Sequence, residues 1–149
     1  MFLLDTNVVS ELRKIGTTRA NINVEKWSRA IPGEQTYLSV ITVFEFERGV
    51  LLAERRDHRQ GKILRQWLNH HVLAKYSERI IPISAAIAQC CASLHVPDPM
   101  SDYDAIIAAT AILHGLTIVT RNIGDFERTG ARLLNPWDYC EYSSIDSGI

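Results

Sequence analysis

The chain has 149 residues, of which 46% are hydrophobic and 22% are charged, and its formal net charge is −1. This length suits one domain with a sizeable core, and the near-neutral charge excludes a global attraction to nucleic acid, so any such surface must be local. No apolar stretch approaches the roughly 20 residues that span a bilayer, and the opening segment MFLLDTNVVSEL lacks the basic start of a signal peptide.

Short apolar strands and longer helical patterns alternate from the first residue onward. In the first half of the chain, a strand is predicted directly at the start, and a second one follows a Pro-Gly breaker. The predicted elements are strands at residues 1–4 and 36–38, helices at residues 8–14, 24–30, 40–54 and 59–73, and a loop at residues 16–23.

The second half of the chain continues this alternation. Strands are predicted at residues 79–83, 116–120 and 132–134, and helices at residues 85–95 and 103–114. Strands that alternate with helices predict an α/β domain whose mostly parallel sheet is covered on both faces. We expect one domain over residues 1–140, a polar tail over residues 141–149, and ligands outside the carboxyl ends of the strands.

Asp5 follows the first predicted strand directly, in the segment FLLDTN. One interpretation is a helix N-cap, because a carboxylate before the next helix satisfies its free backbone N–H groups. The other is a metal ligand at the carboxyl end of the strand. Taken alone, Asp5 favours the cap.

Glu45 lies within a predicted helix, and two interpretations of it stay open. Thr42 and Glu45 have the spacing of a capping box, which would make Glu45 a structural residue. Against this, Ile41, Glu45 and Leu52 fall on one helical stripe, so Glu45 points where apolar residues point. If the helix starts nearer Ser39, Glu45 lies beyond the cap and has another role.

Asp104 precedes the helical segment AIIAATAIL, which is apolar nearly all round and is therefore expected to be buried. Ser101 and Asp104 again have capping-box spacing. Two acids, Asp102 and Asp104, crowd the start of this helix. We expect Asp102 or Ser101 to cap the helix, while Asp104 faces the edge of the sheet.

Asn122 and Asp125 follow the strand predicted at residues 116–120, in the segment TRNIGDF. Such residues are ordinary in turns, and each alone indicates a structural role. The combination of several carboxylates beside apolar elements favours a functional role over a structural one. If they meet, their repulsion must be relieved by protonation or by a cation, and oxygen ligands suit Mg²⁺.

Histidine and cysteine side chains show no spacing typical of a metal site or a nucleophile. The five histidines form no HExxH or Cys/His pattern. Cys90 and Cys91 are adjacent and Cys140 lies near the end of the chain. This arrangement excludes a disulfide framework and predicts a reducing, cytoplasmic setting.

Four segments together carry a family resemblance: LLDTNVVSEL, LSVITVFEFERGVLLAERR, SDYDAIIAATAILHGLTIVTRNIGDF and NPW. Their order and spacing resemble the PIN domain over nearly the whole chain, and more closely the VapC/FitB-type toxins of bacterial toxin–antitoxin pairs. A DTN segment alone is weak evidence for this family. The specific pattern is DTN, then the helix glutamate, then DAIIAATA, then TRNIGDF.

The resemblance implies a three-layer α/β/α sandwich and a Mg²⁺- or Mn²⁺-dependent endoribonuclease that cuts tRNA or mRNA. Asp5, Glu45 and Asp104 fall on the catalytic acidic cluster that holds the metal. The fourth acidic position is open, because Asn122 carries no charge and Asp125 is the alternative ligand. The polar residues that would orient ligands or water are Thr6, Asn7, Thr120 and Asn122.

Partners are also implied by the resemblance: a homodimer, a VapB-type antitoxin that inserts an Arg or Lys into the acidic pocket, and operator DNA through that antitoxin. The candidates for RNA contact are Arg13, Arg48 and Arg121. Trp27, Trp67 and Tyr103 are candidates for base stacking, with core packing as the alternative for the two tryptophans. A second hypothesis is a largely non-catalytic PIN-like co-repressor, for which the uncharged Asn122 is the support.

Overall fold

Five short parallel strands form the centre of the structure, a computed structural model that describes residues 1–141. The strands lie in the order β3-β2-β1-β4-β5. They are β1 (Phe2–Leu4), β2 (Thr36–Ser39), β3 (Ile80–Ile81), β4 (Thr117–Val119) and β5 (Arg132–Leu134). The predicted single domain over residues 1–140 stays a prediction, and the tail predicted at residues 141–149 lies, apart from Glu141, outside the described residues.

Helices connect the strands, and one of them continues as a π-helical segment at Leu68–Leu73. The helices are α1 (Thr6–Leu12), α2 (Ile22–Ala30), α3 (Val40–Arg56), α4 (His58–Trp67), α5 (Ala85–Leu94), α6 (Asp102–His114) and α7 (Ile123–Phe126). Among residues 1–141, no helix combines the length and the apolar character that crossing a bilayer requires.

Two apolar clusters cover the two faces of the sheet. Because successive side chains of a strand point to opposite faces, Leu4 and Val119 join the cluster that includes Trp27. Leu3 and Ile118 join the other cluster, which contains the apolar face of α6. The predicted α/β architecture, with a parallel sheet covered on both faces, is therefore confirmed.

The strand order creates a crevice at the carboxyl ends of β1 and β4. From β1 the chain adds β2 and β3 on one side of the sheet, and later adds β4 and β5 on the other. Ligands of open parallel sheets bind at such a reversal of strand order. The register pairs Leu4 with Val119, and the Asp5 N–H donates to the Val119 carbonyl at 2.9 Å. Asp5 and Thr120 therefore leave the sheet side by side.

Several boundaries differ from the prediction because polar side chains cap the helices earlier than periodicity indicates. Asp5 caps α1, so this helix begins at Thr6 rather than at residue 8. Asn21 accepts from the N–H groups of Asn23 and Val24, so α2 begins within the predicted loop.

The segment after β4 contains α7, where only a turn was expected. The prediction was wrong here because a four-residue helix is too short to show periodicity. Its last residue, Phe126, is fully buried in the cluster behind α6. This single anchor holds the helical turn against the sheet.

Candidate active site

Asp5 lies at the end of β1 and is only 8% exposed. Its Oδ1 accepts from the Thr6 N–H at 2.8 Å, which is the cap of α1. Its Oδ2 accepts from the Thr120 hydroxyl at 2.8 Å and from the Asn7 amide at 3.2 Å. Burial raises the pKa of the Asp5 carboxyl, and these hydrogen bonds oppose the shift. Asp5 therefore caps α1 and also presents its carboxylate at the carboxyl end of β1, so the two interpretations of this residue are compatible.

Asn7 and Thr120 link the ends of β1 and β4. The Asn7 amide also donates to the Thr120 hydroxyl oxygen at 3.3 Å, and its Oδ1 accepts from the Arg121 N–H at 3.2 Å. The Thr120 oxygen accepts in turn from the Asn122 N–H at 3.0 Å. This network holds Asp5 in one orientation without placing a positive charge beside it.

Glu45 lies in the second turn of α3. The capping-box interpretation of Thr42 and Glu45 is wrong, because Ser39 caps α3 by accepting from the Ile41 N–H. Glu45 Oε1 instead accepts from the Thr6 hydroxyl at 2.9 Å. Burial raises the pKa of Glu45, the Thr6 hydrogen bond opposes this, and the charge of Asp5 adds to it.

The predicted apolar stripe through Ile41, Glu45 and Leu52 is also wrong, because Leu52 is 55% exposed. Beyond its first turns, α3 packs on the sheet through Val50 and also on α4, and Leu52 lies on neither of these faces. A stripe that starts in the core therefore ends in solvent. Glu45 points into the structure because its carboxylate accepts a hydrogen bond from Thr6 of α1.

Asp104 lies in the first turn of α6, where the Ser101 hydroxyl accepts from the Asp104 N–H at 3.5 Å. Within residues 1–141 its carboxylate accepts no hydrogen bond. Burial, followed by the charges of Asp5, Asp125 and Glu45, raises the Asp104 pKa to about 6.

Asp102 points away from this carboxylate cluster. Its side chain is 85% exposed and contacts His95 Nε2 at 3.2 Å. The predicted division of roles at the start of α6 is confirmed: Ser101 caps the helix, and Asp104 borders the cleft at the sheet edge.

The carboxylates of Asp5, Glu45 and Asp104 border one open cleft of about 400 Å³ at the end of the sheet. The cleft collects residues from α1, α3, α6 and the segment after β4. Its lining residues are Asp5, Thr6, Asn7, Ser10, Glu45, Ser101, Tyr103, Asp104 and Asn122.

Asn122 and Asp125 occupy different positions around this cleft. Asn122 lies on its wall, whereas Asp125 is exposed and outside the lining residues. Asp125 still acts at a distance, because its charge raises the pKa of Asp5 and of Asp104.

Two polar residues near the site were not predicted to belong to it: Ser10 was not considered, and Thr42 was considered only as part of a capping box. Ser10 lies one helical turn after Thr6, and Thr42 lies one turn before Glu45 with its hydroxyl 3.4 Å from that of Thr6. The spacing of three or four residues from a site residue was the available signal.

The three candidate RNA-contact arginines each lie over an aromatic ring. The Arg13 guanidinium is 5.7 Å from the Trp67 ring centre, and that of Arg121 is 5.2 Å from the Trp137 ring centre. Arg48 lies 5.1 Å from the ring centre of Phe44. Trp27 is buried in the core, as its packing interpretation predicts.

The donor set fits a hard divalent cation. Asp5, Glu45 and Asp104 offer only oxygen ligands, and no basic group of residues 1–141 lies within 4 Å of them. In the same part of the chain, no three acidic, histidine or cysteine side chains lie close enough to enclose an ion directly. This spacing suits Mg²⁺, which keeps several of its waters when bound by proteins.

Comparison with known proteins agrees with this geometry. The family model described as PIN domain matches residues 2–131. The VapC ribonuclease Y4jK of Sinorhizobium fredii is 36% identical over 143 residues, which cover 93% of this chain and 99% of that protein.

Two solved structures are similar throughout. A structure of FitAB bound to the IR36 DNA fragment matches with a TM-score of 0.84 at 31% identity, over 95% of this chain and 99% of that one. A toxin–antitoxin complex from Klebsiella pneumoniae matches with a TM-score of 0.64 at 30% identity, over 91% and 98%. The resemblance drawn from the four motifs is confirmed, and the chain belongs to the PIN-domain family of VapC- and FitB-type toxins.

Proposed function

We propose that this chain is a divalent-metal-dependent endoribonuclease toxin in which Asp5, Glu45 and Asp104 hold Mg²⁺ or Mn²⁺. The observation that carries the proposal is their convergence from three separate elements on one cleft, with a raised pKa at each and no basic partner among residues 1–141. Such a cluster is relieved by binding a cation. We expect tRNA or mRNA as substrate, and hence action in the cytoplasm.

A divalent ion would supply charge neutralisation at the phosphodiester and a water of lowered pKa. Asp5, fixed by Thr120 and Asn7, would keep the metal at the end of the sheet. Asp104 would bring a negative charge that no hydrogen bond from residues 1–141 compensates. Mg²⁺ ligation through water would let both act without a tight cage.

Glu45 would act on the attacking water or on a second ion. Its Oε1 accepts from Thr6, which leaves Oε2 available towards the cleft. A carboxylate with a raised pKa is a better proton acceptor than an ordinary one. Asn122 on the cleft wall would offer an amide to water or phosphate, and Asp125 would contribute charge from outside.

A VapB-type antitoxin is the proposed partner. Beside the cleft lies a groove of about 380 Å³ that includes Leu12, Trp67 and Tyr76. A smaller depression connects the cleft with the groove, because it includes Glu45 of the cleft and Trp67 of the groove. An extended segment in this groove could place an Arg or Lys among the carboxylates, in place of the metal.

The assembly of this chain is also proposed from its relatives. The related Klebsiella protein forms a toxin–antitoxin complex, and the related FitAB structure contains DNA. We propose that this chain forms a homodimer and reaches operator DNA only through its antitoxin.

The second candidate is a largely non-catalytic co-repressor. Asn122 supports it, because this position supplies no charge to the cleft.

Cleavage of a tRNA and mRNA mixture by the antitoxin-free protein separates the two candidates. We expect discrete fragments with Mg²⁺ or Mn²⁺, none with chelator, and none from Asp104→Asn. Asp102→Asn is the matched control, because this exposed acid lies in the same helical turn but outside the cleft. Fragments that persist in Asp104→Asn would contradict the proposed site, and a folded but inactive parent protein would favour the co-repressor.

A further inference from the structure

An arginine, an exposed aromatic ring and a partly buried one form a cluster beside the acidic cleft. Phe44 and Arg48 lie one turn apart on α3, and Tyr103 lies in the first turn of α6. The rings of Phe44 and Tyr103 meet edge to face with centres 5.7 Å apart. The Arg48 guanidinium lies 5.1 Å from the Phe44 ring centre and 6.0 Å from that of Tyr103.

This cluster borders the proposed catalytic carboxylates on two sides. Tyr103 lines the cleft next to Asp104, and Phe44 directly precedes Glu45 in α3. Arg48 lies three residues after Glu45, about one turn further along the same helix.

Tyr103 packs partly against the core, but core packing does not account for Phe44 and Arg48. Phe44 is 46% exposed, and Arg48 makes no hydrogen bond or ion pair with any residue that the structure describes. Arg65 gives the contrast, since it pairs with Glu47 at 2.7 Å and with Glu54 at 2.8 Å. The five N–H donors of Arg48 therefore have no hydrogen-bond acceptor among residues 1–141.

We propose that Phe44, Arg48 and Tyr103 form a nucleotide subsite for single-stranded RNA next to the bond that is cut. One unpaired base stacks on the Phe44 ring with the Tyr103 ring at its edge, and Arg48 binds the phosphate of that nucleotide. Bases have π-faces that stack on aromatic side chains, and a guanidinium fork matches a phosphate. The inference deepens the proposed function and rests on it.

The subsite also defines the substrate class. In a duplex the bases stack on each other and are unavailable to protein rings, so the subsite selects an unpaired nucleotide. Stacking tolerates every base, so sequence preference has to come from other contacts.

Binding of two 12-nucleotide probes tests the subsite: an oligouridine RNA and an abasic RNA with the same backbone. All proteins carry Asp104→Asn so that the probes stay uncut, and affinity is measured by fluorescence anisotropy. We expect Phe44→Leu to weaken oligouridine binding by about 5- to 100-fold and to leave abasic binding unchanged. Arg48→Gln should weaken both probes by similar factors.

Matched controls come from the same helix. Leu51→Ala removes another exposed apolar side chain of α3, and Arg55→Gln removes another exposed arginine. Both should leave the affinities for the two probes unchanged. Phe44→Tyr, which keeps the aromatic face, should retain the preference for oligouridine.

Three results overturn the subsite. The first is a parent protein that binds both probes equally. The second is a Phe44→Leu variant with unchanged oligouridine binding. The third is a Phe44→Leu variant whose sedimentation shifts while its base preference persists, which would assign the ring to contact with a second copy of the chain.

Cleavage assays keep the two proposals distinguishable. In a chain with an intact Asp104, Phe44→Leu should raise KM for single-stranded RNA and leave kcat unchanged. Cleavage with no change in KM overturns the subsite alone. Base-dependent binding without any metal-dependent cleavage overturns the nuclease proposal alone.

Discussion

Asp5 at the end of β1 and Asp104 in the first turn of α6 border the same cleft, but their surroundings differ. Asp5 accepts hydrogen bonds from Thr6, Asn7 and Thr120, whereas the Asp104 carboxylate accepts none within residues 1–141. The charges of Asp5, Asp125 and Glu45 act on Asp104 instead. The strand end therefore fixes the orientation of the Asp5 carboxylate, and the helix start leaves the Asp104 carboxylate without a hydrogen-bond donor among residues 1–141.

The difference has a pH consequence. Burial and neighbouring charges raise the pKa of Asp104 from 3.8 to about 6. Between these values the folded protein binds more protons than the unfolded chain, so stability falls as pH rises. The contribution of Asp104 is fully present below about pH 4 and is lost as pH rises through 6. Without metal, Asp104 thus destabilises the protein at neutral pH.

The largest expected effect is on catalysis. Replacing either aspartate with asparagine should lower the rate of RNA cleavage by about a thousandfold, because several kcal/mol of charge stabilisation at the phosphate depend on the metal. Single-turnover cleavage rates measure this. A loss in only one of the two variants would show that the other aspartate is structural.

The hydrogen-bond network on the Asp5 side gives the next effect. Thr120→Val removes the 2.8 Å donor of Asp5 but keeps the side-chain shape. Loss of such an orienting contact should weaken Mg²⁺ affinity by about 10- to 100-fold. Mg²⁺ titration of the cleavage rate tests it, with Thr110→Val as control, since Thr110 is buried in α6 and its hydroxyl donates to the Ile106 carbonyl. Equal effects of both variants would refute a role of Thr120 in metal binding.

Metal binding should stabilise the protein in a pH-dependent way. Mg²⁺ at a hundredfold excess over its Kd should raise Tm by about 5–10 °C at pH 7.5. The rise should be smaller at pH 5, where Asp104 is protonated and its proton competes with the ion. Differential scanning fluorimetry at both pH values measures this, and a rise independent of pH would remove Asp104 from the ligand set.

In the absence of metal, replacing Asp104 or Asp5 with asparagine should shift Tm in opposite directions. Asp104→Asn should raise Tm by about 2–4 °C at pH 7.5, since it removes a half-buried charge that neighbouring carboxylates repel. Asp5→Asn should lower Tm by a similar amount, because an amide group would face the donors of Asn7 and Thr120. Thermal melts in chelator give both values. Shifts of the same sign would contradict the comparison.

The smallest expected effect concerns the cap of α6. Ser101→Ala should cost about 1 kcal/mol and lower Tm by about 2–4 °C. Ser84→Ala is the matched control, because Ser84 caps α5 away from the cleft. Only Ser101→Ala should also change the Mg²⁺ dependence of cleavage, since α6 carries Asp104. The same change in the Ser84→Ala variant would mean that global stability is responsible.

Local sequence signals predicted much of this site. Asp5 after a short apolar strand and Asp104 before an apolar helix were placed correctly, because strand ends and helix caps depend on a few adjacent residues. Glu45 stayed ambiguous, since its role depends on whether α3 starts at Val40 or nearer Thr42. That boundary depends on Ser39, which also ends β2.

The sequence by itself determined the alternation of strands and helices, the apolar character of α6 and the order of the acidic motifs. Each of these is encoded within one segment. Only the tertiary structure decided which side chains meet: Thr6 with Glu45, 39 residues apart, and Asp5 with Thr120, 115 residues apart. It also placed Phe44 and Arg48 beside Tyr103. Such contacts depend on strand order and register, which pair distant segments through backbone hydrogen bonds that no local pattern specifies.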